Sequence, residues 1–311
     1  MSAKKIMSAT LIAVLLISAF AAFGDTRVTI DEQLLPLSSA PAVPSMLLPV
    51  ASGTDVKKNA KAEIDVSNSK DGYVMVKYLG GNANLRVLIT GPSKVQYTYH
   101  LRSDGVFEVF PLSDGNGDYS IGVFRNVTGN QFATEFTTSI KVTLNDAFAP
   151  FLRPNQYVNF NASTLAVKKA GELVAPGDTT LKKVEKIYNH VVKNFTYDKE
   201  LAATVKSGYV PNLDRVWNAK KGICFDYAAV TSAMLRSQNI PTKLVVGYAG
   251  TVYHAWISVW TPESGWVEGV IFFDGKEWKL MDPTYASSSN ASDSVMQFIG
   301  DGKNYSAKYL Y

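Results

Sequence analysis

The sequence holds one cysteine in 311 residues. No disulfide can therefore close within the chain, and no cysteine-rich structural zinc site can be built. Histidine is almost as scarce, at His100, His190 and His254. Neither charge sign dominates: 31 basic and 27 acidic residues leave +4, too small an excess to point to nucleic acid as a partner. Internal repeats and acidic calcium-loop patterns are also missing. What is present is an ordinary globular balance, 46% hydrophobic and 19% charged. That is enough to bury a sizeable core in about two domains. Plentiful tyrosine and phenylalanine fit β-structure and surfaces that hold polymers.

The N-terminus has the order of a secretion signal. Lys4 and Lys5 precede an almost wholly apolar run from Ile6 to Phe23, and small residues follow at Ala19, Ala21, Ala22 and Gly24. Residues 1–24 are expected to be a signal peptide cut after Ala21 or Gly24, although the run is nearly long enough to stay as an anchor. The expected location is secreted or cell-surface, with membrane contact only through this segment. Cys224 is then a free thiol in an oxidising setting. It is either a small buried hydrophobe or a nucleophile.

Residues 25–60, with Pro36, Pro41, Pro44 and Pro49 and no stable period, read as a linker. Residues 61–145 read as an Ig-like antiparallel β-sandwich. Tyr73–Tyr78, Leu85–Ile89, Val106–Phe110, Tyr119–Phe124 and Phe132–Leu144 alternate or are rich in Thr and Val, and glycine turns separate them. Its bland role is structural or adhesive. Residues 146–311 are expected to be the catalytic domain, opening with a connector to Ala170. A helix capped by Asp178 or Thr179 should then carry Leu181, Val184, Tyr188, Val191 and Phe195 on one apolar face. His190 falls with lysines on the polar face and should be solvated. A second helix starts at Cys224 and ends before Asn239-Ile240-Pro241. Strands follow over Lys243–Tyr248 and His254–Trp260, and Asp274-Gly275 turns the chain into Glu277–Asp282.

The only thiol sits at a helix start, where unpaired N–H groups and the helix dipole favour a thiolate, the form that attacks carbonyl carbon. Asp226 in the same turn opposes that shift. His254 opens a strand that would hold its imidazole rigidly, and Asp282 ends another, stopped by Pro283. Gly222-Ile223-Cys224, Asn239-Ile240-Pro241, Gly247, His254-Ala255-Trp256 and Asp282-Pro283-Thr284, in this order over about a third of the chain, resemble the transglutaminase-like superfamily. The resemblance implies an α+β, papain-like core with helices against an antiparallel sheet. It also implies Cys224 as nucleophile, His254 as general base and acid, and Asp282 as the group that orients the imidazole.

Twenty-eight positions separate His254 from Asp282. A plain three-strand meander would put the two at opposite ends of strands about 20 Å long. Glu277–Asp282 is therefore expected to pair directly and antiparallel with His254–Trp260, with residues 262–273 as an excursion. Trp217 and Tyr197 are candidate second oxyanion donors by position. Trp217, Trp256 and Trp266 are candidate substrate-binding residues, with core packing as the alternative for each. No cofactor and no metal site are expected.

Two functions follow from different classes. One is an exported thiol enzyme acting on amide or peptide carbonyls through a thioester, with a protein or peptide substrate associated with the cell wall or surface. Hydrolysis or amine transfer would resolve the thioester. The other is a noncatalytic surface scaffold that keeps the fold. A redox or intermolecular disulfide role for Cys224 is a third and weaker reading.

Overall fold

Alternation sets the first half of the structure. In the computed structural model, which describes residues 45–262, 264–267 and 305–311 and, as backbone, 271–273 and 278–280, strands β1 (Val56–Lys58), β2 (Ala62–Asp65), β3 (Tyr73–Tyr78) and β6 (Glu108–Pro111) form one antiparallel sheet. A second is made by β5 (Gln96–Leu101), β4 (Leu85–Thr90), β7 (Gly117–Thr128) and β8 (Gln131–Val142), in that order. Leu85, Val87 and Ile89 on β4 and Tyr97, Tyr99 and Leu101 on β5 are buried, as are Ile64, Val74, Val76 and Phe110 on the other sheet. The period of two puts these residues on one face of each strand. Tyr99 meets Phe110 edge to face at 5.1 Å, joining the two inner faces.

The expected linker is shorter than its composition suggests. Val56–Lys58 is a strand that pairs with β2, and the preceding residues are tied to the sheet. The Val50 amide donates to the Tyr73 hydroxyl at 3.1 Å, Gly53 to Asp65 Oδ2 at 2.8 Å and Thr54 to Ser67 Oγ at 2.9 Å. Side chains further along the chain satisfy this backbone, so proline content alone misreads it. The signal segment lies outside the described residues. Among the described residues no helix is long and apolar enough to cross a membrane.

The second half is helical around one buried helix. Short strand β9 (Thr196–Tyr197) separates α1 (Leu165–Leu173) and α2 (Thr180–Asn194) from α3 (Lys199–Thr204) and α4 (Leu213–Ala219); β10 (Lys221–Gly222) leads into α5 (Cys224–Arg236). The α2 start follows the expectation: Thr179 accepts the Lys182 amide at 3.2 Å. Helix α5 has no charge between Asp226 and Arg236 and from Asp226 onward is buried on every side. It packs on α1, α2 and α4 and on the sheet below. Arg236 closes its C-terminal end, donating to the carbonyls of Thr242, Arg153 and Tyr311 at 2.6–2.9 Å.

That sheet has the order β13 (Gly265–Val267), β12 (Val252–Thr261), β11 (Thr242–Ala249), β16 (Tyr305–Leu310), all antiparallel. The expected pairing of Glu277–Asp282 with His254–Trp260 is not found among the described residues. Strand β13 returns instead, setting Val259 against Val267 and Trp260 against Trp266. Trp278–Leu280, strand β15, pairs with β14 (Ile271–Phe273) in a separate two-stranded sheet. Short hairpins close at lower entropic cost than a strand returning over a longer loop. The class is nevertheless the expected mixture of helices and antiparallel sheets.

Candidate functional site

The thiol is positioned by the turn before α5. Lys220 has φ +50 and swings the chain into β10, which runs parallel to β9 with Gly222 opposite Tyr197. Ile223 is extended, and Cys224 is the first helical residue. Its amide therefore has no acceptor within the helix. Asp226 lies fully buried one turn in. Its Oδ2 accepts the Ile223 amide at 2.9 Å and its Oδ1 the Tyr209 hydroxyl at 2.6 Å, while Arg215 stands 3.9 Å away and also donates to Tyr209. Burial raises its carboxyl above the ordinary range, opposed by these hydrogen bonds and by Arg215. A Cβ on Gly222 would come within 2.6 Å of Asp226 Cβ, so glycine is what lets this carboxylate cap the helix. Cys224 itself is partly exposed.

His254 sits on β12 opposite Gly247 of β11 and is 5% exposed. Its ring is near-parallel to Trp256 at 6.2 Å and tilted against Tyr305 at 6.4 Å. Gly247 makes this possible. The register of β11 against β16 shifts between Val246 and Gly247, and a Cβ at 247 would lie 2.0 Å from the Ser306 carbonyl oxygen.

Cys224 and His254 line the same cavity, of about 610 Å³. Tyr197, Tyr253 and Tyr309 contribute to its walls, as do Ala202 near the end of α3 and the loop from Val205 to Tyr209. Burial raises the Tyr253 phenol, with Tyr309, Tyr248 and Cys224 as smaller causes in the same direction, and Tyr253 lines the cavity together with Cys224. Tyr157, which meets Phe225 at 5.2 Å, is pushed up by burial to about 12. A third wall comes from the sandwich: Arg86 on β4 and Thr98 and His100 on β5. Gly208, at φ +88, presses on His100, where a Cβ would be 2.3 Å from Nε2. Burial and then the Arg86 charge lower the His100 imidazole.

The structure thus brings Cys224, His254 and Tyr197 to one cavity. Asp282 lies outside the described residues. Trp217 does not line the cavity; it stacks on His190 at 5.6 Å, meets Phe195 at 5.5 Å and carries the Lys220 ammonium 3.5 Å above its ring. Trp256 is buried behind His254. Trp266 packs on Phe148 and Phe151 beneath Lys243. His190 is only partly solvated: the Trp217 ring stacks on it, and burial lowers its imidazole. Sequence reading missed Tyr209, Arg86 and His100. The only local signal for the last two is their place on the polar faces of strands. Among the described residues no group of three or more acidic, histidine or cysteine side chains could hold a metal ion.

A family model described as the transglutaminase-like superfamily matches residues 167–269. An uncharacterized protein of Mycobacterium tuberculosis is 24% identical over 268 residues, covering 78% of this chain and 70% of that protein. A protein-glutamine gamma-glutamyltransferase of Pseudomonas aeruginosa is 29% identical over 112 residues, covering 32% of this chain and 14% of that enzyme. Among solved structures, the periplasmic domain of TgpA from Pseudomonas aeruginosa aligns with 15% identity and a TM-score of 0.30, covering 75% of each chain. This chain carries a transglutaminase-like superfamily domain at residues 167–269.

Proposed function

We propose that this chain is an exported thiol enzyme that acts on amide or peptide carbonyls. The observation that carries the reading is the placement of Cys224, at the first residue of a helix, and His254, on a rigid strand, in the walls of one cavity. The Cys224 thiolate adds to a carboxamide or peptide carbonyl carbon. The carbon–nitrogen bond then breaks, His254 delivers a proton to the departing nitrogen, and a thioester remains. Water, deprotonated by His254, releases an acid and the thiol; a primary amine in its place gives a new amide. The Cys224 amide is a donor for the developing oxyanion. The Tyr197 hydroxyl, on the cavity wall beside Gly222, is the candidate second donor. Asp282 is assigned to orient His254 on the strength of the Asp282-Pro283-Thr284 motif. The charged start and apolar run of the N-terminus support export, and peptides of the cell wall or surface fit an exported enzyme as substrates.

The test is acylation of Cys224 by a thiol-directed activated amide, followed by mass spectrometry. Wild type should be labelled and Cys224→Ala should not. His254→Ala should be labelled roughly 100-fold more slowly or worse, the usual contribution of a positioned base. Equal rates for wild type and His254→Ala would overturn the reading. Ammonia release from carboxamide peptides, with and without an added primary amine, separates hydrolysis from transfer.

A further inference from the structure

The cavity has one wall that the thiol chemistry does not use. On β4 and β5, Arg86 and His100 are direct cross-strand partners on the face turned away from the sandwich core. Two groups able to carry positive charge stand opposite each other there, a pairing that works against the sheet. Arg86 lies with its guanidinium carbon 4.8 Å over the Phe132 ring, and its Nε is buried without a hydrogen-bond partner. Among the described residues Arg86 has no carboxylate within ion-pair distance. Glu108, the acidic group that acts on His100, already accepts from the Arg102 amide at 2.6 Å and lies 3.4 Å from Arg102 Nε. The described lining of the cavity carries Arg86, His100 and Lys206 and no aspartate or glutamate. An unpaired guanidinium held against a ring, in a basic cavity, is built for a planar anion that it can bind through two N–H groups.

We infer that the sandwich wall selects acyl donors bearing a carboxylate, which Arg86 binds while Cys224 faces the carbonyl to be attacked. The inference deepens the proposed function by naming the substrate class: peptides or amides with a free carboxylate near the reacting amide. The sandwich is then part of the substrate site and not only a spacer.

The test needs only an accessible sulfur at position 224, so it does not depend on turnover. Full-length protein is alkylated with chloroacetamides whose amide nitrogen carries a carboxylate on a two-, three- or four-carbon spacer. Each is compared with its neutral carboxamide twin. In wild type the best anionic probe should label Cys224 about tenfold faster than its twin, the size of one charge-assisted hydrogen bond, with a rate that saturates and is slowed by glutarate. In Arg86→Gln the ratio should fall to about one. Arg86→Lys, which keeps the charge and loses the fork, should give an intermediate ratio; it serves as the reporting variant if a melting curve shows Arg86→Gln unfolded. Equal ratios in wild type and the Arg86 variants overturn the inference, as does loss of the preference in Lys206→Gln alone. A tenfold preference without amide turnover would sink the enzyme reading and leave the anion site standing. Turnover without preference would do the reverse.

Discussion

Asp226 shows how a single buried carboxylate organises the start of α5. It caps the Ile223 amide and holds the Tyr209 hydroxyl, so one residue links the helix to the cavity loop. Replacing it with alanine leaves both donors without their acceptor and should cost about 2 kcal/mol, measured by denaturant unfolding. Its pH behaviour has a definite sign. Burial raises the folded carboxyl above the unfolded value, so the folded state binds the proton more tightly. The stability gained is full below about pH 4, the unfolded value, and is lost as pH rises through the folded value. The Tm difference between wild type and Asp226→Asn should therefore shift against wild type as pH increases from acid, and then level off. A difference that moved the other way would mean that the hydrogen bonds outweigh burial.

At the scale of elements, the site depends on strands passing closer than side chains allow. Gly247 lets β16 cross β11 at a bulge and brings Tyr305 beside His254 and Trp256. Gly247→Ala puts a methyl group 2.0 Å from the Ser306 oxygen. Backbone cannot yield as a flexible side chain can, so the change should cost about 2 kcal/mol. It should also shift the His254 ring resonances in NMR as Tyr305 moves away. An unchanged His254 signal in a folded variant would show that β16 does not set the imidazole environment. The helix α1 illustrates the same dependence on distant contacts. Its first amide, on Leu165, is capped by Asp214 Oδ1, a residue 49 positions further on.

At the scale of the whole molecule, the described residues belong to one compact unit, and an aromatic cluster joins the sandwich to the C-terminal half. Tyr97 lies 5.5 Å from Tyr309 and 5.6 Å from Tyr311, and Tyr99 is 5.7 Å from Tyr157. Ser113 Oγ donates to the Leu310 carbonyl at 2.6 Å. All five tryptophans fall after residue 216, so tryptophan fluorescence follows the C-terminal half, while far-ultraviolet circular dichroism reports both. The two unfolding curves should coincide, as for one cooperative unit. Tyr97→Ala should lower the midpoint and separate the curves. Distinct transitions in the wild type would show that the sandwich folds independently of the cavity it lines.

The amino-acid sequence by itself determined the elements whose signals are local. Alternation gave β3 at its observed limits, Asp178-Thr179 marked the start of α2, and Gly222-Ile223-Cys224 marked the start of α5, each because period and capping act over a few residues. It also supplied the thiol and the imidazole with their order along the chain. Only the tertiary structure decided which strand lies beside β12, that Val56–Lys58 belongs to a sheet, that α1 exists, and that Arg86 and His100 face the same cavity as Cys224. Strand partners depend on loop closure, and a distant cap or cavity wall depends on packing between segments far apart in the chain. On β4, Arg86 reads only as one polar position in an alternating strand. Its role as a candidate ligand group arises because the fold lays the outer face of that strand against the same cavity as the 205–209 loop and the start of α5.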